Sequence, residues 1–114
     1  MTRALFVCCG KRFTAVTVSG HATQTARAGE DIVCAAVSSA VYLTANTITD
    51  VLGADAAISM RDGFFSLKLR QQNAEAQNLL KGLALHLRQL SEQYPEQVAV
   101  KLIQLSYSEV CSNA

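Results

Sequence analysis

Tryptophan is absent from the 114 residues, proline occurs once, and Phe and Tyr together make up only 6%. No Pro-, Gly- or Ser-rich stretch and no charge block interrupts the chain, so nothing in it separates two domains. A single domain over residues 1–114 is expected. No excess of one charge is present either. Net charge is +1, and the ten Lys and Arg are scattered without a basic stripe, so a direct nucleic-acid partner is not expected. The opening residues run apolar only through Cys9, shorter than a signal core and far shorter than a spanning helix. A membrane partner is therefore not expected, and the reducing cytosol (a cytoplasmic setting) is. There is no C-x-x-C pair, which argues against a zinc site or a thioredoxin-like motif.

Apolar residues, by contrast, are plentiful at 50%, while charged residues at 17% fall below the usual ~25%. A chain of this length buries roughly two-thirds of the surface its unfolded form exposes. The apolar excess beyond that hints at self-association. Four cysteines are present, Cys8, Cys9, Cys34 and Cys111. With an ample core and a reducing compartment, free thiols are expected.

Residues 3–9 and 12–18 read as β-strands around Gly10-Lys11, a hairpin signal. Residues 22–29 are small and polar without a period and read as a loop. Asp31 suits a helix N-cap. From it, Val33, Val37, Ala40, Val41, Thr44, Ile48, Val51 and Leu52 follow at helical spacing until Gly53. A second strand pair, 55–60 and 64–70, turns at Arg61-Asp62-Gly63. Asn73 can cap a second helix, with a stripe of Ala76, Leu79, Leu80, Leu83, Leu87 and Leu90, ending before Tyr94-Pro95. The last strand spans about 98–107, with a change of phase near Lys101-Leu102-Ile103 that suggests a bulge. The order β-β-α-β-β-α-β predicts an α+β domain, a mainly antiparallel sheet with two helices packed on it.

Cys34 falls near the start of the first helix, where unpaired amides and the helix dipole stabilise a thiolate. His21 lies thirteen positions earlier, at the end of a strand whose following loop can return to the helix. A thiol and a base within reach are the minimum for cysteine catalysis, and amides at the helix start suit an oxyanion. Ser38 and then Tyr42 follow Cys34 one and two turns on, along the same face. Spacing alone favours a plainer reading, in which Cys34 is a small hydrophobe, His21 is structural, Ser38 bonds the carbonyl one turn back and Tyr42 packs. The other histidine, His86, falls on the solvent side of the second helix and has no role.

The wording of two blocks reverses those odds. Ser19-Gly20-His21-Ala22, followed by Gly29-Glu30-Asp31-Ile32-Val33-Cys34-Ala35-Ala36-Val37-Ser38, resembles the signature of the ribosomal-processing cysteine protease family Prp. The likeness in element order extends over nearly the whole chain. The resemblance implies a cysteine endopeptidase that removes the N-terminal extension of a large-subunit ribosomal protein, cutting after an aromatic pair. It makes His21 the base and Cys34 the nucleophile, with Gly20 and Gly29 flanking a loop that closes on substrate. Asp31 and Ser38 become orienting or substrate-contacting groups. It further implies a homodimer that needs no metal or organic cofactor. One departure stands out: after Gly20-His21-Ala22 this chain reads Thr23-Gln24-Thr25-Ala26-Arg27, where the family commonly has a further glycine and an aromatic residue. Two other classes remain open on the residues alone: a non-catalytic ribosome-associated binding factor on the same fold, and a redox-sensing thiol protein. The last lacks a resolving cysteine near Cys34 in sequence.

Overall fold

The computed structural model describes residues 1–20 and 30–105, with the side chains of Glu30 and Asp31 outside that description. His21, the 22–29 loop and Cys111 therefore lie outside the described residues. Strands β1 (Thr2–Cys9) and β2 (Arg12–Ser19) form the expected hairpin. Helix α1 (Glu30–Asn46) runs on into a wider turn at Thr47–Val51, and β3 (Ala56–Arg61) and β4 (Phe64–Leu69) form the second hairpin. Helix α2 (Ala74–Gln93) and β5 (Val98–Leu105) complete the domain. The five strands lie in the order β3-β4-β2-β1-β5. Only the β1–β5 pair is parallel; the other three are antiparallel. The observed order is β-β-α-β-β-α-β, the predicted α+β class.

Alternation places Ala4 and Phe6 of β1, Val16 and Val18 of β2, and Phe65, Leu67 and Leu69 of β4 on one face. Both helices cover it. From α1 come Val33, Val37, Val41, Ala45 and Ile48, and from α2 Ala76, Leu80, Leu83, Ala84 and Leu87, all in one buried cluster. The segment Ile32–Val51 is long and apolar enough to cross a membrane by composition. Its stripe of Val33, Val37 and Val41 packs into this core, while Ile32, Leu43 and Val51 of the same segment are exposed.

Four details depart from expectation. The helix is already formed at Glu30, so the Asp31 backbone lies inside the first turn and not at the N-cap. Val51, placed on the core stripe by 3.6-residue spacing, is exposed, because the wider turn at Thr47–Val51 rotates the stripe away from the sheet. Thr44, Thr47 and Thr49 there each donate a hydroxyl to the carbonyl four residues back, a habit that bends helices. The bulge falls not in β5, whose pairing with β1 runs in register from Val98 to Leu105, but between β1 and β2. There Val7 pairs with Ala15 and Cys8 with Phe13, so Thr14 is the extra residue. Its hydroxyl donates to the Val7 carbonyl at 3.1 Å. The phase change along β5 reflects an edge strand whose far half has both faces partly open.

The fourth departure concerns the cysteines. Cys8 and Cys34 are free, but Cys9 is disulfide-bonded, against the expectation of free thiols. Neighbours on a strand point to opposite faces, so Cys8 turns to the helices and Cys9 to the other side of the sheet. Burial pushes the Cys8 thiol upward from its ordinary value, and the positive charge of Arg88 partly offsets this.

Candidate active site

Helix α1 presents Cys34, Ser38 and Tyr42 at successive turns, and all three line one open cleft between the helix and the end of the sheet. Cys34 and Ser38 are half-buried, while Tyr42 is half exposed. Val37 and Val41 from the same helix, with Val18 and Phe65 from β2 and β4, form an apolar floor. Thr2 closes one side and the β3–β4 hairpin the other, through Arg61 and Phe64. The empty space amounts to about 380 Å³, open to solvent. The Arg61 guanidinium carbon lies 4.3 Å from the centre of the Phe64 ring, within cation–π range.

Gly20 anchors the strand that leads to His21. Its φ of +91° is one that side-chain-bearing residues rarely adopt. An added Cβ would sit 2.6 Å from the Met1 carbonyl oxygen. Its N–H donates to the Gly63 carbonyl at 3.1 Å. Gly20 is thus held between the first residue of the chain and the turn of the β3–β4 hairpin. The cleft residues Thr2, Val18, Arg61 and Phe64 all come from these same segments, and three of the pairs meet in one row: Arg3 with Ser19, Ser19 with Phe64, and Phe64 with Arg61.

Of the six residues singled out from sequence, the structure brings Cys34 and Ser38 together in the cleft and places Gly20 on the adjoining strand end. His21, Gly29 and the Asp31 side chain lie outside the described residues. His86 is exposed on α2, as expected. Among the described residues no group of three His, Cys, Asp or Glu side chains could hold a metal ion. Sequence reasoning missed the Arg61–Phe64 wall. Arg61-Asp62-Gly63 reads as a turn, and nothing local says that β4 pairs with β2 and so carries that turn to the strand end before His21.

A half-buried free thiol early in a helix and a hydroxyl one turn on line one open cleft on an α+β sheet, an arrangement that suits a thiol enzyme. The comparisons narrow this. The chain belongs to the family described as cysteine protease Prp, whose model matches residues 1–99. It is similar to the crystal structure of SMU.848 from Streptococcus mutans, with 27% identity and a TM-score of 0.83 over 92% of this chain and 96% of that one. It is also similar to an essential ribosomal processing protease Prp from S. aureus, solved in complex with a substrate peptide. There identity is 25% and the TM-score 0.82, covering 90% of this chain and all of that one (100%). The same S. aureus protease with a covalently linked product peptide matches at 26% identity and a TM-score of 0.81, over 90% of this chain and 100% of that one. Among curated proteins none matches the chain. The protein is therefore a cysteine protease of the Prp family.

Proposed function

We propose that this protein is a cytoplasmic endopeptidase that removes the N-terminal extension of a large-subunit ribosomal protein precursor, cutting after an aromatic pair. The observation that carries the reading is the cleft in which Cys34 and Ser38 stand side by side, on a fold shared with a protease solved with its peptide. Cys34 is the nucleophile. Its sulfur attacks the scissile carbonyl carbon, the carbon–nitrogen bond breaks, and His21 returns a proton to the leaving amine. Water, deprotonated by His21, then hydrolyses the Cys34 thioester and frees the thiolate. The covalently linked product peptide in the S. aureus relative supports a covalent route.

Ser38 and Asp31 orient His21 or the peptide, and Gly20 and Gly29 bound the loop that closes over it. No metal or organic cofactor takes part, and no nucleic acid or membrane is contacted directly. Residues 1–114 act as one domain. In the reducing compartment where ribosomes assemble the Cys9 disulfide would be open, and no step depends on it. The test is mass spectrometry of the precursor ribosomal protein after incubation with wild-type protein and with Cys34→Ala. One cut after the aromatic pair, absent in the variant, is expected; a cut at an unchanged rate by Cys34→Ala would refute the assignment.

The active form is a homodimer. Ile32, Leu43, Val51 and Leu85 are 60–76% exposed on the helical layer. An open groove with about 1020 Å³ of empty space runs between α1 and α2, lined by Ala40, Leu43, Leu79 and Gly82 among others. A surface this apolar is more often covered than solvated. Sedimentation at micromolar concentration is expected to give twice the chain mass of 12.2 kDa; a monomer across that range removes the dimer.

A further inference from the structure

We infer that Arg61, whose guanidinium carbon lies over the Phe64 ring, is a specificity-determining residue of the cleft, which stacks an aromatic side chain of the peptide on the guanidinium on the side away from Phe64. The inference rests on the peptidase reading of the same cleft. A guanidinium is planar and has two faces. Phe64 takes one at 4.3 Å, and Arg61 is exposed, so the other is open to what enters the cleft. Among the described residues no carboxylate pairs with Arg61 to compete for it.

Arg61 and Phe64 sit at the hairpin end and line the same cleft as Cys34 and Tyr42. An aliphatic side chain entering there gains contact with Val18, Val37, Val41 and Phe65 and nothing more. A flat ring gains the same floor and also stacks on the cation, as arginine does and lysine does less well. The preference for aromatic over aliphatic groups is thus assigned to one exposed side chain. Substituting it should leave the floor, the thiol and the fold as they are.

The test uses two peptides of equal length, one with Phe-Phe and one with Leu-Leu before the scissile bond. Their kcat/KM values are measured on the otherwise intact protein and their Kd values on the Cys34→Ala variant, each with Arg61, Arg61→Ala and Arg61→Lys. The expected result is that the Phe-Phe over Leu-Leu ratio falls about two- to fivefold in both Arg61 variants, in both assays, because the Phe-Phe values fall more than the Leu-Leu values. Equal losses for both peptides, an unchanged ratio, or a ratio kept by Arg61→Lys would overturn it. So would failure of both peptides to bind. If the wild-type protein cuts neither peptide, the peptidase reading falls separately. The binding arm on Cys34→Ala still decides whether Arg61 reads the ring.

Discussion

At Gly20 three constraints meet in one residue: a φ of +91°, a Met1 carbonyl where a Cβ would go, and an N–H bonded to the turn of the neighbouring hairpin. Both obstacles are backbone, and backbone yields less readily than a flexible side chain. Gly20→Ala is therefore expected to lower stability by about 2 kcal/mol, through backbone strain, as read by urea unfolding. It should also depress peptide cleavage at temperatures where the variant stays folded, because the next residue is His21. An alanine variant with wild-type stability would show that the strand end is not fixed in this way. Cys8 offers a pH test. Its thiol is pushed up from 9.0 by burial, so the unfolded chain loses this proton at lower pH than the folded one. The stability Cys8 contributes is then full below the ordinary thiol value of 9.0 and is lost as pH rises through the raised folded value. Cys8→Ala should flatten the fall in Tm over that alkaline range; identical slopes for the two proteins would contradict the burial account.

At the scale of elements, the start of β2 is paired with β1 on one side, and on the other it is held by a side chain and not by a strand. The pairing of β4 with β2 begins only at Ala15, which leaves Phe13, beside the bulge, without a partner on that side. Gln77 of α2 supplies one. Its Oε1 accepts from the Phe13 N–H at 2.7 Å and its Nε2 donates to the Phe13 carbonyl. Gln77→Leu leaves both backbone groups unsatisfied and should cost about 1–3 kcal/mol, measured by urea unfolding. A change within a few tenths of a kcal/mol would mean that water replaces the amide.

Elements with strong local signals were legible in the sequence. The Asn73 cap is one, since its side chain does accept from the Ala76 N–H at 2.9 Å. The valine stripe of α1 is another. The exposed Val51 and the Thr14 bulge were not legible, because the first depends on how a run of threonines bends a helix and the second on which strand pairs with which.

For the whole molecule, the sheet order turns separate signals into a site. Placing β4 beside β2 and β2 beside β1 brings Thr2, Val18, Phe65 and the Arg61–Phe64 pair to one end of the sheet, over which α1 carries Cys34 and Ser38. The sequence block around Cys34 and Ser38 was readable because one helix face holds both. The opposite wall was not readable, since its residues come from four strands that only the sheet order joins.

The central claim is that Cys34 and His21 act as one unit, and a double-mutant comparison tests it most directly. Initial rates of cleavage of the Phe-Phe peptide would be measured for wild type, Cys34→Ala, His21→Ala and the double variant. Each single substitution is predicted to cost on the order of 10³-fold or more, and the double variant to be no slower than the worse single one, as for groups that share one step. A His21→Ala protein that retains near wild-type rates, or losses that multiply in the double variant, would contradict the account.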